Sequence, residues 1–146
     1  MPVEPNPFDD EKLAAIRVDQ KDPIVQYLVV RKSLDMSPGK IAAQCAHLGA
    51  MFILRYEEIR HSLGFPAGGL RKTQCDITKQ WLDISFRKRV KKANDSQFER
   101  IKQELPVFVV RDAGLTEVDP GSETVLCTWP MRESSAPTLL TKLRNL

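Results

Sequence analysis

Three polar side chains that can take part in chemistry share one face of a predicted helix. Lys40, Gln44 and His47 are spaced i, i+4 and i+7, so at about 100° per residue they fall on one stripe. Ser37 suits the N-cap and Pro38 the first helical position, which puts Lys40 in the first turn, against the helix dipole. A lysine placed there, beside free backbone N–H groups, indicates an anionic ligand. The alternative is an ordinary amphipathic helix with a polar rim.

A second set of candidate residues follows a predicted strand later in the chain. Asp112 stands at the end of a predicted buried strand and precedes the small residues Ala113 and Gly114. Its carboxylate can orient a water molecule or act as a general base, or it can simply bond the backbone N–H two residues on in an Asx-turn. Thr116 can donate to a carboxylate or hold a water, or else begin the next extended segment as a β-branched residue.

The densest charge in the chain is a basic run with five cations in six residues: Arg87, Lys88, Arg89, Lys91 and Lys92. Such a run can bind a phosphate backbone without reading its sequence. The alternative is a solvated strand edge, where lysines prevent pairing between edges. Because no aromatic residues interleave with the cations, base stacking is not indicated.

The cysteines and histidines do not form a metal or thiol site by their spacing. Cys45, Cys75 and Cys127 match no zinc pattern, and reduced thiols are the plain interpretation. Cys45 and His47 are two residues apart on a helix and therefore point in different directions, which argues against a local nucleophile–base pair. We expect no metal and no organic cofactor.

The elements that position these residues alternate between strands and helices. Predicted strands are 24–31, 81–86, 107–110 and 124–129, and the first is apolar enough for a central strand covered on both faces. Predicted helices lie around 9–16, from Ser37 to about 60, after a capping box at 96–99, and after Pro137, with 62–69 read as a loop. This order favours a mixed sheet with helices on both faces, and both polar sets follow strands, so they can converge at one sheet edge.

Length and composition fit one soluble domain. The 146 residues can bury a core, and a net charge of +3 is too small to imply nucleic acid by itself. We expect a largely flexible N-terminal tail over 1–22 and an α/β domain over 23–146. No apolar stretch is long enough to span a membrane, and the first ten residues resemble neither a secretory signal nor a mitochondrial presequence. A cytoplasmic protein without a membrane partner is therefore expected.

Two segments resemble the second-class peptidyl-tRNA hydrolases, the class typical of archaea and eukaryotes. The first, from Met36 to His47, matches the pattern Met-x-x-Gly-Lys-x-Ala-Ala-Gln-x-x-His throughout. The second, from Arg111 to Leu126, matches an Asp-Ala-Gly-Arg-Thr-Gln…Pro-Gly-Ser-x-Thr-Val-Leu pattern at ten positions: Asp112, Ala113, Gly114, Thr116, Pro120, Gly121, Ser122, Thr124, Val125 and Leu126. The resemblance covers residue 24 to the C-terminus.

The resemblance implies a fold, a reaction and a set of site residues. The expected fold is a single compact three-layer α/β/α domain around a four-stranded mixed sheet, assembled as a possible homodimer. The expected reaction is hydrolysis of the ester between peptide and tRNA, which recycles tRNA after aborted translation. Lys40, Gln44, Asp112 and Thr116 would be catalytic. His47 and Thr124 would contact peptidyl-tRNA at the periphery. Independently of the resemblance, the charge density of the basic run predicts that its cations bind tRNA: Arg87, Lys88, Arg89, Lys91 and Lys92.

The chain departs from the family pattern beside the presumed site. Leu115 replaces an arginine and Glu117 a glutamine, so a cation is lost and an anion gained; Ala46 and Trp129 replace a serine and a glycine. Leu115 and Glu117 favour the alternative of a non-catalytic homologue that binds tRNA or protein with the same fold, because both weaken the attraction for phosphate. A thiol enzyme using Cys45 is a third possibility.

Overall fold

The computed structural model describes residues 1–5, 8–18, 21–62 and 70–146. Within them the helices are α1 (Asp10–Val18), α2 (Pro38–Ser62), α3 (Leu70–Gln80), α4 (Asp95–Glu104) and α5 (Thr138–Thr141). The strands are β1 (Ile24–Arg31), β2 (Arg87–Ala93), β3 (Val107–Arg111), β4 (Glu123–Thr128), β5 (Met131–Arg132) and β6 (Arg144–Asn145). The loop predicted over 62–69 lies, from 63 onward, outside the described residues.

The described strands form a single mixed sheet in the order β3-β4-β1-β2-β6, with β5 pairing to β1. Strand β1 is parallel to β2 and antiparallel to β4, and β4 is antiparallel to β3. The sheet therefore has six strands rather than the four that were expected. The two extra strands, β5 and β6, are two residues long, which is too short for periodicity to reveal them.

Helices cover both faces of the sheet, which confirms the three-layer α/β/α prediction. Ile24, Leu28 and Val30 of β1 pack in one core with α2, whereas Val25 and Val29 pack in a second core with α4 and α5. Both cores draw alternate residues from β1 because successive side chains of a strand point to opposite faces. This double burial explains why β1 reads as a continuous apolar run.

The prediction of a strand over 81–86 is wrong. Residues Trp81–Ser85 form a π-helical turn that continues α3, and Phe86 ends it in the left-handed region at a φ of 51°. Trp81 and Ser85 are both buried; the Trp81 indole donates to the Arg87 carbonyl and the Ser85 hydroxyl to the Ile24 carbonyl. The contact of Ser85 with the distant Ile24 backbone overrides the short alternating pattern. The strand that runs parallel to β1 is the basic run itself.

The capping box of the helix after β2 lies two residues before the predicted one. Asn94 is the N-cap: its side chain accepts a hydrogen bond from the Gln97 backbone at 2.8 Å, and the Gln97 side chain accepts one from the Asn94 backbone at 3.0 Å. The box is thus 94–97 rather than 96–99. The last helix does follow Pro137, and Leu140 and Leu143 are both buried.

Candidate active site

Helix α2 starts where the sequence predicted and carries the first half of the site. The Ser37 hydroxyl accepts a hydrogen bond from the Lys40 backbone N–H at 3.2 Å, and the Ser37 carbonyl accepts one from Ile41 at 2.9 Å. Ser37 is therefore the N-cap residue and Lys40 stands in the first turn. The helix then presents Lys40, Gln44 and His47 to the same cleft.

The loop after β3 carries the second half of the site. The Asp112 backbone donates to the Ser122 carbonyl at 2.9 Å and accepts from Gly121 at 2.7 Å, which closes the loop between β3 and β4. Gly114 has a φ of 76°, and a Cβ at this position would lie 2.3 Å from the backbone nitrogen of Pro120. Glycine is required at this position because of both the conformation and the close approach.

The two halves meet in a cluster of four side chains that includes all the predicted catalytic residues. The Lys40 ammonium donates to Asp112 Oδ1 at 2.7 Å and to Thr116 Oγ1 at 2.8 Å. Gln44 Nε2 donates to the same Asp112 oxygen at 3.0 Å. The cluster forms because β1 and β3 are both antiparallel to β4, so the segments that follow them leave the same edge of the sheet.

Asp112 makes the turn contact that its sequence position predicts and also faces the other side chains of the cluster. Its Oδ2 accepts a hydrogen bond from the Gly114 backbone at 2.7 Å, which is the Asx-turn contact, while Oδ1 faces Lys40 and Gln44. The Lys40 ammonium, followed by the Gly114 N–H, holds the pKa of the Asp112 carboxyl below its ordinary value. Asp112 is therefore a carboxylate at neutral pH, with 10% of its side chain exposed to the cleft.

Thr124 lies beneath the cluster and fixes the orientation of the Gln44 amide. Its hydroxyl donates to Gln44 Oε1 at 2.6 Å, and Thr124 has no exposed surface. An ionised carboxylate only accepts hydrogen bonds, so Gln44 must turn its NH₂ group to Asp112 and its oxygen to Thr124. The structure thus places Thr124 behind Gln44 rather than at the cleft surface.

The cluster lines a cleft of about 470 Å³. His47, Arg111 and Leu115 also contribute to its wall, and Leu115 is 88% exposed. Glu117 does not line it: the carboxylate turns to the N-terminus of α2 and accepts hydrogen bonds from the Ser37 backbone at 2.8 Å and the Ser37 hydroxyl. Sequence reasoning missed this contact because the two residues are eighty positions apart and share no local pattern.

Comparison with known proteins decides the family. The model of the family described as Peptidyl-tRNA hydrolase PTH2 matches residues 24–146. The chain is 39% identical over 114 residues to the peptidyl-tRNA hydrolase of Methanopyrus kandleri, covering 74% of this chain and 85% of that protein. This chain belongs to the peptidyl-tRNA hydrolase PTH2 family.

Other relatives agree with this assignment. The peptidyl-tRNA hydrolase of Thermoplasma acidophilum is 30% identical over 125 residues, which cover 82% of this chain and 95% of that protein. The mitochondrial peptidyl-tRNA hydrolase 2 of Homo sapiens is 33% identical over 128 residues, which cover 84% of this chain and 63% of that protein. The family match begins at Ile24, the first residue of β1, so α1 lies before the matched segment.

The basic run of this PTH2 family member is strand β2, and its cations divide between the two sheet faces. Lys88 lies over aromatic rings on the α2 side, with its ammonium 3.3 Å from the Phe86 ring centroid, and desolvation lowers its pKa to about 8. Arg89, on the opposite face, forms an ion pair with Glu133 at 2.9 Å. Lys91, on that same face, donates to Asn145. The run is therefore not one continuous cationic surface.

Neither a thiol site nor a metal site accompanies the cluster in the part of the chain that the structure describes. Burial raises the pKa of the half-buried Cys45 thiol, which disfavours the nucleophilic thiolate. The described residues include no group of three or more His, Cys, Asp or Glu side chains placed to hold a metal ion. None of the described helices is both long and apolar enough to cross a membrane.

Proposed function

We propose that this chain hydrolyses the ester bond that joins the peptide to the terminal ribose of tRNA in peptidyl-tRNA. Membership of the PTH2 family and the names of its relatives support this activity. The single observation that carries the proposal is the hydrogen-bonded cluster of Lys40, Gln44, Asp112 and Thr116 at the cleft.

Asp112 orients the attacking water in this proposal. Among the described residues, its Oδ1 accepts two hydrogen bonds, whereas Oδ2 accepts only the Gly114 N–H and keeps capacity for a water proton. Because its pKa is lowered, the carboxylate is a weak base towards free water. It takes the proton as the new C–O bond forms, when the attacking oxygen has become strongly acidic.

Lys40 and Thr116 stabilise the negative charge that develops on the substrate. Lys40 has three N–H donors, of which two point to Asp112 and Thr116, so one is left for the oxyanion. Thr116 accepts from Lys40, which leaves its own hydroxyl proton free to donate. As the ester C–O bond breaks, the proton held by Asp112 passes to the departing ribose oxygen, giving free peptide and free tRNA.

The remaining cleft residues have supporting roles. Gln44 holds Asp112 Oδ1 beside Lys40, and Thr124 holds Gln44 from below without touching substrate. His47 stands one helical turn beyond Gln44 at the cleft wall, where it contacts the substrate away from the reacting carbonyl.

We also propose that β2 contributes to tRNA binding through part of its basic run. Lys92 is the strongest candidate because it pairs in register with Val30 at the carboxyl end of β1, the end that leads to α2. Among the described residues Lys92 has no ion-pair partner, so its charge is available for a phosphate group. Arg87, Lys88, Arg89 and Lys91 each have a contact that competes with phosphate.

The alternative of a non-catalytic homologue is less favoured. Leu115 and Glu117 depart from the family pattern, but neither belongs to the bonded cluster, and Glu117 faces the Ser37 end of α2. The substitutions therefore leave Lys40, Asp112 and Thr116 in contact. Because Leu115 lines the cleft without belonging to the cluster, we expect it to change the affinity for substrate rather than to abolish hydrolysis.

An activity assay tests the proposed function. Purified protein is incubated with peptidyl-tRNA in the presence of a chelator, and deacylated tRNA and free peptide are quantified. We expect release of both products at equal rates. Binding of peptidyl-tRNA without any release would favour the non-catalytic alternative.

We also propose that the protein is a homodimer and that it is located in the cytoplasm. The resemblance to the second-class hydrolases supports the dimer, and the archaeal relatives carry names without an organelle, whereas a human relative is named mitochondrial. Light scattering of the purified protein would distinguish dimer from monomer, and imaging of a C-terminally tagged protein would report the compartment.

A further inference from the structure

Glu117 connects the loop between β3 and β4 to the start of α2 by accepting two hydrogen bonds from Ser37. Its carboxylate accepts the Ser37 backbone N–H at 2.8 Å with one oxygen and the Ser37 hydroxyl with the other. The Ser37 oxygen in turn accepts the Lys40 backbone N–H at 3.2 Å. A continuous hydrogen-bonded chain therefore runs from Glu117 to the backbone of the lysine in the cluster.

The neighbouring residue makes a parallel connection. Thr116 accepts a hydrogen bond from the Lys40 ammonium at 2.8 Å. Two successive loop residues therefore hold the first turn of α2: Thr116 binds the Lys40 side chain, and Glu117 binds the N-cap residue Ser37. On the far side of Glu117, Val118 is buried in the core that contains α2. Glu117 thus lies between the buried Val118 and Thr116 of the cluster, where it fixes the distance between the loop and the first turn of α2.

A charged group suits this position better than an amide. The N-terminus of a helix attracts negative charge, and the Ser37 hydroxyl and N–H, together with the Lys40 charge, hold the pKa of Glu117 below its usual range. A carboxylate has two accepting oxygens for the two Ser37 donors, whereas a glutamine has one. The glutamate at this position therefore makes a stronger clamp than the family's glutamine can make.

We propose that Glu117 is a positioning residue for ester hydrolysis, holding Ser37 and the first turn of α2 so that Lys40 reaches both Asp112 and Thr116. This role rests on the proposed function and places Glu117 behind the cluster, without contact to substrate. In this role the glutamate, which stands where the family pattern has a glutamine, stabilises the geometry of the site and does not repel the substrate.

Steady-state kinetics of two variants at this position test the proposal. Glu117→Ala removes both acceptors, and we expect kcat to fall about 10- to 100-fold with KM changed by less than about threefold, since misplacing a catalytic group by about 1 Å can cost that much. Glu117→Gln keeps one acceptor and should recover an intermediate kcat. Glu58→Ala, which removes a surface ion pair with Arg55 on the same helix, is the matched control and should leave both parameters unchanged.

The outcomes separate this proposal from the proposed function. A wild-type protein without hydrolysis refutes the function, whereas an active wild type with an equally active Glu117→Ala variant refutes the positioning role. A rise in KM alone would mean that Glu117 contacts the substrate, which also overturns the proposal. Amide hydrogen exchange provides a measurement independent of activity: the Ser37 N–H should be protected in the wild type and lose protection in Glu117→Ala, and an unprotected Ser37 in the wild type contradicts the clamp.

Discussion

Removing the Thr124 hydroxyl tests how the floor of the site is built. Thr124→Val keeps the shape of the side chain but leaves Gln44 Oε1 without its donor at 2.6 Å. Thr124 is 0% and Gln44 2% exposed, so water cannot replace the lost hydrogen bond. An unsatisfied buried polar group costs about 1–3 kcal/mol. For a domain of this length each kcal/mol lowers Tm by about 2–4 °C, so we expect a decrease of about 2–12 °C.

Thermal unfolding followed by circular dichroism measures this cost, and Thr78→Val is the matched control. Thr78 is also fully buried, but its hydroxyl donates at 2.7 Å to the Gln74 carbonyl within its own helix. That carbonyl keeps its helical backbone partner when the hydroxyl is removed, so the control should lose little stability. If Thr124→Val is no less stable than Thr78→Val, the argument from the buried amide is refuted.

A double variant separates stability from function. In Thr124→Val with Gln44→Met both polar partners are gone, so no buried group is left unpaired and most of the lost stability should return. Hydrolysis should nevertheless be slower than in the wild type, because the Gln44 N–H that holds Asp112 is missing. A double variant as unstable as the single one would show that the hydroxyl acts through some other contact.

The remaining predictions concern the loop and the tRNA surface. Gly114→Ala should destabilise the protein by at least about 1 kcal/mol because of the positive φ of this residue, whereas Gly49→Ala, inside α2 with nothing within 4 Å of its added Cβ, should stabilise it by about 0.5–1 kcal/mol. Urea denaturation measures both, and similar effects of the two substitutions would contradict the loop geometry. Lys92→Gln should reduce the log–log salt slope of tRNA binding by about 0.7–0.9, the loss of one phosphate contact, whereas the ion-paired Arg89→Gln should change it less. If the salt slopes of tRNA binding are equal for Lys92→Gln and the wild type, the role of β2 is purely structural.

Local signals made much of the fold predictable. The start of α2 was predictable from Ser37 and Pro38, because a helix cap depends on the residue types at adjacent positions. Strand β1 was predictable because burial on both faces requires a continuous apolar run. The convergence of Lys40 and Asp112 was predictable as well, since both follow strands that end at the same sheet edge.

What the sequence did not reveal depends on contacts between distant residues. The π-helical turn at 81–85 is held by a hydrogen bond from Ser85 to the distant Ile24, and the basic strand β2 is held by pairing with β1 rather than by its own composition. The contacts of Glu117 with Ser37 and of Thr124 with Gln44 each join residues eighty positions apart. No pattern within a short window can carry such information.

The two interpretations of Asp112 do not exclude each other in the structure. A carboxylate has two oxygens, and Oδ2 accepts the turn hydrogen bond while Oδ1 faces Lys40. The turn thus fixes the orientation in which Oδ1 contacts Lys40 and Gln44.

The central claim is that Asp112 works with Lys40 to hydrolyse peptidyl-tRNA, and one comparison tests it most directly. Hydrolysis of a single peptidyl-tRNA is measured for the wild type, for Asp112→Asn and for the exposed Asp119→Asn on the same loop as a control. We expect Asp112→Asn to lower kcat/KM at least about tenfold, since a positioned acid–base group typically contributes about 100-fold or more, while Asp119→Asn stays at the wild-type value. Full activity in a folded Asp112→Asn protein would contradict the account.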